Sequence, residues 1–277
     1  MTYSQADITV PYAVANFAEI RHKGYYYVDK TNYIPLLERY KAPVFLRPRR
    51  FGKSLLVSML AHYYDRNMAS QFKDLFGGTW IGEHPTNEHN QYLVVRYDFS
   101  TTSVASKKED IEKNFNAVNC SPLRTLVERN RDLFGDFKFR EDGNASNMLV
   151  EVCEFISSHN LPPLYILIDE YDNFTNQLLV VFKDSLYQDL TTEESFLRTF
   201  FKVIKAGIGE GTIRTCFCTG VLPVTMDDLT SGYNIAEMLT LKPEFTNLLG
   251  FTHEECHQQI WPSSLFRGIM DSNTQQL

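Results

Sequence analysis

One short step constrains this chain more than anything else in it: Gly52-Lys53-Ser54. It lies between an aliphatic run, Pro43-Val44-Phe45-Leu46, and a segment from Lys53 to Tyr64. In that segment Leu56, Met59, Leu60 and Tyr63 recur at helical spacing. A glycine at such a junction lets the backbone approach an anion closely. The starting helix adds unpaired N–H groups and the positive end of its dipole at the same point. Arg47-Pro48-Arg49-Arg50-Phe51-Gly52-Lys53-Ser54 thus reads as the later part of the phosphate-binding pattern G-x-x-x-x-G-K-[ST]. Lys53 can reach outer phosphates and Ser54 can hold Mg²⁺. Arg47 stands where the general pattern has its first glycine, so the turn requires Arg47 to find a permitted conformation. Taken alone, the motif is equally a strand-turn-helix with a chance Gly-Lys-Ser.

Three further runs read as buried strands: Tyr92 to Tyr97, Leu164 to Ile168 and Ile213 to Cys218, with a weaker one at Met238 to Leu241. Their near-continuous apolar character suits strands covered on both faces. Met148 to Ile156 and Phe196 to Ile208 have helical patterns between them. This alternation predicts an α/β fold with a mostly parallel sheet, whose ligand sits beyond the carboxyl ends of the strands.

The residues after those ends carry the chemistry. Asp169-Glu170-Tyr171-Asp172 follows the most apolar strand. An Asp there can hold Mg²⁺ and a Glu can orient or deprotonate a water; the plainer alternative is a helix cap. Combined with the Gly-Lys-Ser step, this doublet favours a nucleotide site. Thr219 ends the fourth strand and can meet a terminal phosphate or the attacking water; alone, it is a turn threonine. Asp98-Phe99-Ser100 reads mainly as a helix N-cap. Three guanidiniums in one loop, on Arg47, Arg49 and Arg50, are too many for one ligand to satisfy, so at least one ion pair is expected.

These residues resemble the AAA-ATPase-like family of P-loop proteins, often joined to a PD-(D/E)XK nuclease-like domain. The likeness is carried by Tyr27-Val28-Asp29-Lys30-Thr31, by Phe45 through Leu55, by Ile168-Asp169-Glu170-Tyr171-Asp172, and by Thr219-Gly220-Val221 continuing through Asp227-Asp228-Leu229-Thr230-Ser231-Gly232-Tyr233-Asn234. Leu249-Gly250-Phe251-Thr252 also fits, and the likeness runs from about residue 9 to residue 256. Arginine at position 47 is usual in that family.

The resemblance implies an ATP-binding core with Walker A and Walker B motifs. The loop residues Arg47, Arg49, Arg50, Phe51, Gly52, Lys53, Ser54 and Leu55 would hold nucleotide, Ser54 and Asp169 would hold Mg²⁺, and Glu170, Lys53 and Thr219 would act in catalysis. The expected fold is a P-loop NTPase sheet of about five mainly parallel strands between helices, with a small helical C-terminal piece. The expected division is 1–43 as an N-terminal segment packing on the core, 44–245 as the core, and 246–277 as a partial helical lid or the start of a truncated C-terminal region. Residues 266 to 277 turn polar and show no separated Asp, Glu-x-Lys set, so nuclease activity does not carry over.

The expected function is Mg²⁺-dependent ATP binding with slow hydrolysis driving a conformational switch. Two alternatives stand beside it: a non-catalytic nucleotide-binding or interaction module, and the ATPase part of a nuclease-linked, nucleic-acid-associated system. A protein partner or homo-oligomer fits either. With 27 Lys and Arg against 34 Asp and Glu, the formal charge of −7 argues against autonomous nucleic-acid binding. The N-terminus shows no basic region leading into an apolar run, and no apolar stretch approaches the ~20 residues of a membrane helix. Five cysteines (Cys120, Cys153, Cys216, Cys218, Cys256) imply no disulfide framework and suit a reducing cytoplasm.

Cys216-Phe217-Cys218 should place both sulfurs on one strand face, as core rather than zinc ligands. His253 and His257 read as a surface pair, and Asp227-Asp228 as a turn or cap. Tyr25-Tyr26-Tyr27 reads as a short strand, followed by Asp29 or Thr31 capping a helix from Tyr33 to Arg39. A less favoured role for this segment is to cover an adenine base.

Overall fold

A computed structural model of the chain describes residues 9–102, 108–141, 143–172, 196–222 and 233–255. The Asp227-Asp228 turn, Cys256, His257 and the stretch 256–277 lie outside the described residues.

Five strands form one sheet: β1 (Pro43–Leu46), β2 (Leu93–Asp98), β3 (Leu164–Asp169), β4 (Ile213–Gly220) and β5 (Glu237–Met238). Their order is β2-β3-β4-β1-β5, and every pairing is parallel. Parallel neighbours need long crossovers, and those from β1 to β2, β2 to β3 and β3 to β4 carry helices. The connections leaving β1 and β4 run in opposite directions across the sheet. That reversal opens a crevice at the carboxyl ends of these two adjacent strands.

Period-two alternation sorts the strand side chains into two cores. Val44, Leu93, Val95, Tyr97, Leu164, Ile166, Ile168, Cys216 and Cys218 face one way. They meet α6 (Lys108–Arg129), α8 (Ala145–His159) and α9 (Phe196–Glu210), with α7 (Arg131–Phe134) flanking. Phe45, Val94, Tyr165, Leu167 and Phe217 face the other way, onto α3 (Lys53–Tyr64). The same layer includes α1 (Phe17–His22), α2 (Ile34–Leu37), α4 (Phe72–Phe76) and α5 (Trp80–Glu83). Cys216 and Cys218 do share a face, with their sulfurs 3.8 Å apart. Burial raises the pKa of the Cys153 thiol to about 11, so that group behaves as core.

Residues ahead of β1 pack on α3. Phe17 is fully buried, and its N–H donates to the Ser58 hydroxyl at 3.0 Å. Tyr25 to Tyr27 form no strand, contrary to expectation. Tyr27 instead packs edge-on to Phe17, with ring centres 5.5 Å apart. The helix expected from Tyr33 to Arg39 is a 3₁₀ turn, Thr31–Tyr33, followed by α2. Asp29 accepts the Thr31 N–H locally at 2.9 Å, but its second oxygen accepts from Trp80 N–H at 2.7 Å, and the Thr31 hydroxyl accepts from Ile81 N–H at 3.1 Å. Both side chains therefore serve orphan donors at the start of α5. β5 is shorter than the Met238–Leu241 run because Leu239 turns into the α3-side core and Leu241 is 87% exposed.

Candidate active site at the carboxyl ends of the strands

Register places the candidate residues at one level. Phe45 pairs with Thr219, Leu46 with Gly220, Asp98 with Asp169, and Ile168 with Cys218. Asp169 and Thr219 are each one position beyond that last pair, side by side at the mouth of the crevice.

The loop after β1 turns without a glycine at position 47. Arg47 continues the ladder, its N–H donating to Gly220 O at 3.2 Å. The left-handed conformations fall later, at Arg50 (φ 69°) and Gly52 (φ 89°). Alternating handedness of this kind turns successive N–H groups toward a common centre, the geometry of an anion nest. Gly52 then caps α3, its carbonyl accepting from Leu56 N–H at 2.9 Å. α3 thus starts at Lys53 with free N–H groups facing the mouth.

Lys53 is 95% buried, and its ammonium donates back across the loop to Pro48 O at 3.1 Å. Burial lowers its pKa, while Glu170, Asp169 and Asp172 push it back up. The lysine and the acidic doublet therefore share one site. Ser54 lies beside Asp169 and acts to lower that carboxyl's pKa against the larger, raising effect of burial. Even so, Asp169 Oδ1 is buried with no hydrogen-bond partner. Glu170 is held at φ 50°, which costs a non-glycine residue of order 1–3 kcal/mol. Burial raises its pKa, with Asp169 and Asp98 adding to the rise and Lys53 and Arg49 opposing it. That shift moves a carboxylate toward the range of a useful general base. The hard oxygen set of Asp169 and Ser54, with an unsatisfied buried carboxylate oxygen, fits Mg²⁺, which takes few protein ligands and completes its shell from phosphate and water. Among the described residues, no group of three or more His, Cys, Asp or Glu side chains converges to hold a metal by itself.

Other predicted residues have partners of their own. The Thr219 hydroxyl is buried and donates to Phe45 O at 3.0 Å, linking β4 to β1. Arg47 turns away from the nest. Its guanidinium reaches the carbonyls of Leu46 (3.0 Å), Thr240 (3.4 Å) and Thr246 (3.4 Å), and lies 4.5 Å over the Phe45 ring. Arg49 and Arg50 are exposed on the loop. The ion pair expected for these arginines is not found among the described residues, because Arg47 finds backbone carbonyls instead. Phe51 is 43% exposed and lies beside Gly250, while Leu55 packs on the α3-side core. Asp98 is an N-cap as expected, accepting from the Ser100 N–H at 3.0 Å and hydroxyl at 2.6 Å.

Arg96 escaped the sequence reading, as did the partners of Asp172. Arg96 of β2 pairs with Asp169 at 3.6 Å. Asp172 accepts from Val221 N–H at 3.1 Å and Leu222 N–H at 2.7 Å, clamping the turn after β4. In both, the contact crosses between strands, and only the pairing register brings the residues together.

A family model described as "Predicted AAA-ATPase" matches residues 11–230. A curated protein of Azotobacter chroococcum mcd 1, described as "Uncharacterized protein in vnfD 5'region", is 26% identical over 257 residues. The matched stretch covers 89% of this chain and 43% of that protein, so the chain spans less than half of the relative's length. No solved structure matches the chain. Among the described residues, no helix is long and apolar enough to cross a membrane.

Proposed function

Since this chain belongs to the AAA-ATPase-like family, we propose that it binds ATP with Mg²⁺ and hydrolyses it slowly to switch conformation. The observation that carries this reading is that Lys53, opening α3, lies within electrostatic reach of Asp169 and Glu170 at the carboxyl end of β3, beside the nest at Arg50 to Gly52.

In this mechanism the loop N–H groups and the N-terminus of α3 receive phosphate oxygens. Lys53 moves its ammonium from Pro48 O to the outer phosphates and neutralises charge that develops there. Ser54 and Asp169 would hold Mg²⁺, which when bound supplies further charge neutralisation on the phosphates. Glu170 orients a water and accepts its proton at a carboxylate oxygen. Thr219 reaches the terminal phosphate by exchanging its bond to Phe45 O. The described residues 9–43 and 246–255 flank this core. A homo-oligomer or a protein partner is compatible with the site, and a cytoplasmic location suits the nucleotide.

Calorimetric titration with ATP and Mg²⁺, paired with a phosphate-release assay, tests this reading. Lys53→Ala should weaken ATP binding by at least a hundredfold. Glu170→Gln should bind ATP within a few-fold of the unmutated protein and lose turnover by about 10²–10⁴-fold, the range for removing a general base. Binding without phosphate release would favour the non-catalytic module. Equal turnover in Glu170→Gln and the unmutated protein would remove Glu170 from its role.

A further inference from the structure

Arg96 belongs to no phosphate-binding or acidic motif, yet it supplies a cation to the carboxylate at the centre of the site. Alternation along β2 sends Leu93, Val95 and Tyr97 to the core under α6 and α8, and Val94 to the face under α3. Arg96 shares the parity of Val94 and so emerges on the α3 face, between β2 and the Asp169 end of β3. Its guanidinium lies 3.6 Å from Asp169 Oδ2, with the arginine side chain 40% exposed and the aspartate only 3% exposed. Asp98, register partner of Asp169, adds a like charge, and Glu170 follows directly.

The contact is long for a charge-assisted hydrogen bond. It engages one carboxylate oxygen and leaves the other, Oδ1, buried and unpartnered. A single loose contact from a half-exposed side chain is readily exchanged, since the guanidinium can swing into water at little cost.

We propose that Arg96 is a displaceable counter-ion for Asp169: it neutralises the carboxylate in the nucleotide-free protein and must withdraw before that carboxylate can engage a divalent cation. This rests on the assignment of Asp169 to Mg²⁺ in the proposed function. Arg96 is accordingly a positioning residue that sets the cation threshold of the site and makes no contact with phosphate.

Mn²⁺ binding by the full-length, nucleotide-free chain, followed by loss of the free-ion paramagnetic signal at pH 8, reads the competition directly. Arg96→Gln and Arg96→Met should each bind Mn²⁺ at least fivefold more tightly than the unmutated chain. Arg96→Lys should stay within twofold of it, and adding Asp169→Asn should abolish the gain. ATP affinity measured in EDTA should change less than twofold in all of them. Unchanged or weaker Mn²⁺ binding in both neutral variants would overturn the proposal, as would a gain that survives Asp169→Asn. A large loss of ATP affinity in EDTA would make Arg96 a phosphate contact and overturn it equally. If the unmutated chain binds no ATP, the nucleotide reading fails, while the Mn²⁺ comparison still decides the role of Arg96.

Discussion

Asp169 and Glu170 are both held against their own chemistry. Burial raises the pKa of each, Asp98 nearby raises both, and Asp169 raises Glu170 further. An acid whose folded pKa exceeds its unfolded one favours folding when protonated. Its contribution is complete below the ordinary carboxylate range and is lost as pH rises through the elevated folded value. Ligand-free Glu170→Gln should therefore melt higher than the unmutated chain at pH 7.5. A rise of only about 1–2 °C is expected, because solvent reaches the partly exposed carboxylate and screens these interactions. Scanning calorimetry should show the gap shrinking as pH falls toward the ordinary carboxylate range; a lower melting point at pH 7.5 would contradict the assigned electrostatics. Lys53, Ser54, Asp169 and Glu170 could be picked out of the sequence as candidates because each ends or follows a strand or opens a helix. Arg96 was not, because its partner lies on the neighbouring strand and only register makes them neighbours.

Among the elements, strands and their ends were the easiest to read. β1 and α3 fall where the apolar pattern puts them, and β2, β3 and β4 each run one or two residues further. α6 was missed. Its mean character is polar, and Pro122 interrupts the pattern, yet Ile111, Phe115, Leu123, Leu126 and Val127 form the stripe that packs on the sheet. The clamp on the turn leaving β4 was also invisible, because Gly220 and Asp172 define it jointly. A Cβ on Gly220 would lie 2.3 Å from Asp172 Oδ1 and 2.9 Å from the Tyr171 ring, so only glycine admits the clamp on Val221 and Leu222. Tyr171 reinforces the turn, its hydroxyl donating to Leu222 O at 2.8 Å. Asp172→Ala leaves those N–H groups without their acceptor and should cost about 1–3 kcal/mol. Gly220→Ala should cost a similar amount by displacing the carboxylate. Because both changes break the same clamp, denaturant melts of the double variant should show a loss smaller than the sum, with coupling of about 1 kcal/mol. Simple additivity would mean that Gly220 is required for some other reason.

Across the whole molecule, the nest is held in place by chain remote from it in sequence. Arg47 joins the loop to the carbonyls of Thr240 and Thr246, and the Thr240 hydroxyl accepts from Leu46 N–H at 2.8 Å. Leu249 stands over Gly52 and Gly250 against Phe51. Thr252 and Glu255 then cap each other reciprocally, the capping box of the short helix His253–Glu255, and Glu255 pairs with Lys30 ahead of β1. The stretch from Thr240 to Glu255 thus forms a strap from the loop after β1 to the N-terminal segment, with Arg47 as its first rivet. An arginine in the place of a glycine is explained on these terms: a glycine would turn more freely but could not hold the strap. Arg47→Ala should loosen loop and strap together while leaving the sheet intact. In hydrogen exchange followed by mass spectrometry, amides of 47–54 and 240–255 should both exchange at least tenfold faster, with β3 amides unchanged. ATP binding should weaken several-fold although the Arg47 guanidinium reaches backbone carbonyls and not the nest, because a floppier nest must be ordered on binding. Faster exchange in the loop alone would show that the strap is held by Leu249 and Glu255 without Arg47.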